Sequence, residues 1–298
     1  MLQGTHEWWA LLRAVAAFNV LAWLAVAAWM WRTRRGESAE AWRHRRWQLA
    51  LSAGYVLGCA WRSLLPVYDV PRLVLVDSFW SSVVVGRSVA TLAELCFAAQ
   101  WALLLRAVSC SAGCATGLAV SRAVLPLIAT AELFSWYSVL TTSNVGHVVE
   151  ESLWGLCAAL LLLSLVLAWP NVERTQRPLL TLCGSAAFVY AAYMFGVDVP
   201  MYWSRWLADN AVGRGTLGVA DGLVDASTRW VVSHRWEDWR GEVIWMTAYF
   251  SVAVWASIAL VLAPVQRRRE DQAISNAPDT VHVSRWWARR AVSASHRQ

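Results

Sequence analysis

The stretch "SNVGHVVEESLWGLCAALLLLSLVLAW", residues 143–169, opens with a histidine and two adjacent glutamates and then runs apolar to Trp169. From Val148 it has the length, about 20 residues, that a helix needs to cross a hydrocarbon core about 30 Å thick. On a helix, His147, Glu150, Glu151 and Trp154 stand at i, i+3, i+4 and i+7 and share one face.

Similar runs fill most of the chain. They fall at about 9–31, 48–67, 81–105, 119–142, 148–169, 179–197 and 243–263, which predicts seven membrane spans. The composition agrees: of 298 residues, 58% are hydrophobic and only 15% charged, with a mean hydropathy of +0.40. A soluble domain of this length needs more polar surface. The expected fold is therefore all-α, a seven-transmembrane-helix bundle over 1–263, followed by a basic cytoplasmic tail over 264–298. No basic region precedes the first run and no small-residue cleavage site closes it, so it reads as a retained helix rather than a signal peptide.

All 26 basic residues are arginine. Arg32, Arg34, Arg35, Arg43, Arg45 and Arg46 follow the first run, and Arg267, Arg268 and Arg269 follow the last. The positive-inside rule puts both groups in the cytoplasm and the N-terminus outside. The sequence pI of about 9.3 then reads as attraction of the loop and tail to anionic inner-leaflet lipid, and nucleic acid is not an expected partner. Within the tail, "VSRWWARRAV" suits either a short amphipathic helix on the membrane surface or a disordered end. Cys59, Cys96, Cys157 and Cys183 lie inside predicted spans, and Cys110 and Cys114 lie on the reducing side, so no disulfide framework is expected.

One tripeptide recurs. "VYDVPRLVLVD" (67–77) and "GVDVPMYWSRWLAD" (196–209) both place Asp-Val-Pro after an even-numbered span and follow it with another Asp. This suggests a 3+1+3 arrangement of parallel repeats, a layout whose interface binds substrate in transporters. Proline is common after helix ends, so chance is the alternative. Residues 198–241 are too long for a turn and carry a helix-compatible stretch from about Thr216 to Trp236, which together read as an outer cap. Asp69, Asp198 and His234 are its candidate rim residues. Trp203, Trp206, Trp230, Trp236 and Trp239 suit an aromatic belt, with a sugar or headgroup platform as the alternative.

Chemistry is expected from polar residues that hydrocarbon excludes. Span three carries Arg87, Thr91 and Glu94 along one face, and span four carries Glu132, with Ser135 and Thr142 on or near its face. An unpaired charge there costs at least about 2.5–3.5 kcal/mol, so these groups need mutual shelter. One base and two acids in a low dielectric cannot all be charged and satisfied, which makes Arg87, Glu94 and Glu132 a candidate ligand or proton site. The alternative is a structural ion pair. His147, Glu150 and Glu151 are candidate catalytic or gating residues, able to act as general base or to ligate a divalent ion. Zinc usually takes three protein ligands and helical di-iron sites take two Glu-x-x-His motifs, so no metal is assigned. The plainer alternative is that these acids complement the helix dipole, with Ser143 or Asn144 as cap.

No nucleophile elbow, phosphate loop, His-Glu-x-x-His or dinucleotide fingerprint occurs, and no cofactor is named by the motifs. Three classes remain: a proton-coupled transporter of a small polar or amphiphilic ligand held in an outward-facing cavity; a membrane-embedded enzyme acting at the outer face through His147, Glu150 and Glu151; and a receptor or assembly subunit.

Overall fold

The computed structural model describes residues 4–263. The basic tail, with Arg267 to Arg269 and the "VSRWWARRAV" segment, lies outside the described residues. Of the described residues, 83% are helical, and they form an all-α bundle. Helices α1 (Thr5–Thr33), α2 (Ala39–Leu64), α3 (Val83–Ala112), α4 (Ala115–Thr141), α5 (Asn144–Ala168) and α6 (Arg177–Tyr193) run antiparallel to their predecessors and pack in sequence. A wide, π-helical turn at Met194–Asp198 carries α6 directly into α7 (Val199–Ala211). Short helices α8 (Val219–Thr228) and α9 (Trp236–Trp239) follow. The last element is α10 (Val243–Ala248), a second wide turn at Tyr249–Ala253, and α11 (Val254–Leu262), which packs on α1, α2 and α3.

Six of these segments are long and apolar enough to cross a membrane: 5–36, 83–112, 115–141, 144–171, 177–211 and 243–262. The exterior supports that reading, because Phe18, Leu21, Leu133, Leu182 and Ile244 are exposed while Asn19, Gln48, Ser52, Gln100, Ser135 and Ser257 are buried. An apolar outside around a polar inside is what lipid solvent selects. Helix α2 falls short of the composition. It starts nine residues before the apolar run expected at 48, so Arg43, Arg45 and Arg46 ride on its first turns rather than in a loop. It is nonetheless 26 residues long and closely packed: a Cβ on Gly58 would stand 2.7 Å from Ala93 Cβ, so α2 and α3 meet at a small-residue contact.

Residue 198, the expected start of a cap, does not begin a separate segment. Residues 198–211 continue the sixth helix, because Pro200 sits in the first turn of α7, where its missing N–H costs little. The widened turn just before it absorbs the break in the hydrogen-bond ladder. The helix expected over 216–236 is confined to α8, and β3 (Val231–Val232) follows it. The two Asp-Val-Pro tripeptides therefore adopt different structures. Asp69-Val70-Pro71 forms the turn between β1 (Val67–Tyr68) and β2 (Leu73–Val74), whereas Asp198-Val199-Pro200 lies within a continuous helix. The antiparallel β1–β2 pair takes β3 as a parallel third strand.

Helix α8 docks on the end of α4. Leu217 N donates to the Thr141 carbonyl at 3.0 Å, and Gly222 is so close that a Cβ there would lie 2.0 Å from the Leu140 carbonyl oxygen. Buried Arg72 ties the hairpin to α8 by donating from Nε to Asp225 Oδ2 at 2.9 Å. Of the tryptophans expected in a belt, Trp239 is instead fully buried: it packs on Trp8 and donates to the Ser233 carbonyl at 2.8 Å. Trp203 and Trp206 do pack ring to ring, with centroids 4.9 Å apart.

Candidate functional site

Helices α3, α4 and α5 enclose the charged residues between them. Arg87 and Glu94 stand seven apart on α3, so both face α4, and Arg87 Nη2 reaches Glu94 Oε2 at 2.8 Å. The same nitrogen donates to Glu132 Oε2 at 2.7 Å on α4 and approaches Glu150 Oε1 at 3.5 Å on α5. Arg87, Glu94, Glu132 and Glu150 are all buried. One carboxylate oxygen from each of the three glutamates lies within 4.8 Å of the others. A single guanidinium nitrogen is thus shared by three acids from three helices.

The surrounding shell fixes these positions. Thr91 Oγ1 donates to Glu132 Oε2 at 2.6 Å and accepts from Trp136 Nε1 at 3.1 Å. The Tyr249 hydroxyl donates to Glu94 Oε1 at 2.8 Å from the second wide turn. His147 Nδ1 lies 2.7 Å from Glu150 Oε2, and its ring packs on Tyr202 of α7. The α4–α5 junction holds His147 in place: Ser138 Oγ donates to the Ser143 carbonyl at 2.5 Å and accepts from His147 N at 2.7 Å. Gly146 permits this approach, since a Cβ there would lie 2.5 Å from the Phe134 carbonyl oxygen.

Helix α5 begins at Asn144, four residues before the apolar run, so Glu150 and Glu151 are past its first turn. They do not serve as end-of-helix charges. The helix start lacks a side-chain cap from Ser143, and Asn144 donates to Asp209 Oδ2 at 2.7 Å. The candidate gating residues and the candidate ligand or proton site therefore meet, because Glu150 joins the Arg87 cluster. Glu151 is half-buried, within the fields of Glu150, Asp198 and Glu94. Asp198 is buried at the end of the first wide turn. Asp69 lies in the β1–β2 turn, with Arg62 Nη2 4.0 Å from its Oδ1. His234 is exposed and stacks on His6 with centroids 4.9 Å apart. Near the same end, burial pushes the Glu242 carboxyl above the usual carboxylate range, opposed by the charge of Arg205.

A second polar group lies further along the bundle. Gln100 Nε2 donates to the carbonyls of Gln48 and Ser257, each at 3.1 Å, while Gln48 Nε2 donates back to the Gln100 carbonyl at 3.0 Å. Ser257 Oγ donates to Gln100 Oε1 at 2.6 Å and lies 3.0 Å from Ser52 Oγ. Sequence reasoning missed these residues and Tyr249. The isolated glutamines inside apolar runs were the available signal. A groove of about 480 Å³ between α5 and α6, lined by residues such as Leu162, Leu163, Phe188 and Phe195, is apolar throughout. Compared with known protein families, curated proteins and solved structures, the chain matches none.

Proposed function

We propose that this multi-pass membrane protein is a proton-coupled carrier with seven spans, its N-terminus outside and its C-terminus cytoplasmic. It binds a small polar or amphiphilic ligand in an outward-facing cavity. The observation that carries this reading is the sharing of Arg87 Nη2 among Glu94, Glu132 and Glu150. Three ionised carboxylates around one guanidinium would leave two uncompensated negative charges among apolar helices, which hydrocarbon penalises heavily. Protons or a ligand must share that charge. Gln48, Ser52, Gln100 and Ser257 extend polar side chains beyond Glu94 toward the cytoplasmic half, as a carrier requires. In this reading α2 is the seventh span, its thin hydropathy tolerated because α1, α3 and α11 surround it. Residues 212–241, with Asp69, Asp198 and His234 nearby, form the outer cap and rim.

Reconstituted vesicles loaded with a pH-sensitive dye test the coupling. A metabolite and lipid panel should include a compound that changes lumenal pH, and Glu94→Gln and Glu132→Gln should each abolish the change. No pH change with any compound, in vesicles whose protein is folded, rejects the carrier.

A second reading rests on a different contact. The 2.7 Å pair of His147 Nδ1 and Glu150 Oε2 orients the imidazole as catalytic histidines are oriented, leaving Nε2 as the proton acceptor of an outer-face enzyme. Conversion of a panel compound in detergent, without a gradient and lost with His147→Ala, would replace the carrier reading. Neither behaviour points to a receptor or assembly subunit.

A further inference from the structure

We propose that the Glu94, Glu132 and Glu150 seat binds a cation bearing N–H donors, an amine or a guanidine, and that Arg87 is its tethered occupant, leaving for Asp69 when the ligand arrives. This rests on the carrier reading and names the class of its ligand. The seat is already drawn around nitrogen: three carboxylate oxygens converge on one N–H-bearing atom at 2.7, 2.8 and 3.5 Å.

Arg87 fills that seat incompletely. Its Nε is buried and has no hydrogen-bond partner among the described residues, and neither does Glu132 Oε1. Ser135, one turn after Glu132 on the same face of α4, is fully buried with its hydroxyl unpartnered. A ligand with more donors, or with an acceptor for Arg87, satisfies what Arg87 alone does not. The walls suit a cation as well. Tyr249 reaches Glu94, Tyr55 packs edge-on to Tyr249, and Tyr202 lies on His147, so aromatic rings flank the acids.

Arg87 has a second station. Helical side chains lean toward the N-terminus of their helix, yet Arg87 reaches along α3 in the C-terminal direction to meet Glu94. In the other direction lies the β1–β2 turn. Gly86, next to Arg87, packs against Val67, two residues before Asp69, with room for no more than a hydrogen. Asp69 Oδ1 is buried without a hydrogen-bond partner among the described residues, and its nearest cation, Arg62, stands off at 4.0 Å. The exchange leaves neither group of acids without a cation: the ligand takes the place of Arg87 among the glutamates, and Arg87 moves beside Asp69. Other charged or titratable groups near the seat include His147 and Glu151 on α5, Tyr190 on α6, Cys59 on α2 and Asp198 in the first wide turn.

Agmatine, which carries both an amine and a guanidine, is the probe. Its binding to the protein in lipid nanodiscs is read by tryptophan fluorescence and by thermal melting, with tetramethylammonium as the cation lacking N–H donors. Arg87→Ala should bind agmatine more tightly than wild type and gain more melting temperature from it. Asp69→Asn should weaken agmatine binding to wild type by at least about tenfold, because Arg87 then has nowhere to go and the open seat becomes rare. The same Asp69→Asn change should leave binding to Arg87→Ala unaltered. Equal binding by tetramethylammonium overturns the proposal, as does an Asp69→Asn effect that is absent or independent of Arg87. If Arg87→Ala does not fold, the wild-type and Asp69→Asn comparison decides alone, and unchanged binding overturns it. Agmatine binding without any vesicle pH change sustains the seat and rejects the proton coupling. A pH change driven by other compounds, without agmatine binding, rejects the seat and sustains the coupling.

Discussion

Asn19 on α1 donates its side-chain amide to the backbone carbonyl of Phe250, 2.8 Å away, inside the wide turn that carries Tyr249. Trp255 Nε1 in turn donates to Asn19 Oδ1 at 2.9 Å. A π-helical turn interrupts the regular ladder, and a carbonyl freed in an apolar setting needs a donor from elsewhere. Asn19 supplies it, and so positions the turn that aims Tyr249 at Glu94. Asn19→Leu should lower stability by about 1–3 kcal/mol, the cost of an orphaned buried carbonyl. Thermal melting in detergent checks this, with Leu21→Ala on the exposed face of α1 as the comparison; equal small effects would contradict it.

Arg87 and Glu94 should not act independently. Arg87→Ala strands three acids, whereas Glu94→Gln removes one of three partners, so the arginine substitution should cost more. Because the double variant removes a pair that each single variant breaks, its effect should fall short of the sum by about 0.5–3 kcal/mol. Melting of the two single variants and the double decides this, and strict additivity is the contrary result.

Helix α8 should loosen in acid. Arg229, and after it Arg72, hydrogen-bond Asp225 and hold its carboxyl below the usual aspartate range. Such a group binds fewer protons folded than unfolded in acid, so it stabilises above the ordinary aspartate value and loses that contribution as pH falls below about 4. Amide exchange of α8 should rise over that window in wild type and be high and flat across it in Asp225→Asn. A flat wild-type profile would remove the ion pair from the stability of α8.

Orientation can be read with native chemistry. Cys110 is exposed near the end of α3, and Gly215 is exposed at the opposite end of the bundle, between α7 and α8. With the N-terminus outside, an impermeant thiol reagent should label Gly215→Cys in intact cells and reach Cys110 only after permeabilisation. The reverse pattern means the inverted topology.

Most helices were legible because lipid leaves a one-dimensional signature: long apolar runs gave α1, α3, α4 and α5 to within a few residues at most ends. Helix α2 was read short because its first turns, with Arg43, Arg45 and Arg46, look like a loop in hydropathy alone. The spacing of Arg87 and Glu94 put them on one face, and the antiparallel depths brought Glu132 into reach. Glu150 reads as separate from that cluster because the apolar run of its span begins four residues after the helix does. Tyr249 and Asn19 had no local signal at all. Their roles come from wide turns, which no residue propensity announces, and from contacts across more than 150 residues of chain.

Gly222 meets the Leu140 carbonyl with no side chain between them. Attractive contacts such as Arg72 with Asp225 survive small shifts, since long side chains re-aim. A steric fit has no such slack: even one added methyl has to move the main chain of α4 or lift α8. The seating of α8 is thus written in the genome as an omission. In a library covering every substitution, this position, on a short helix outside the bundle, should be as intolerant as the deepest core, with alanine rejected nearly as firmly as tryptophan.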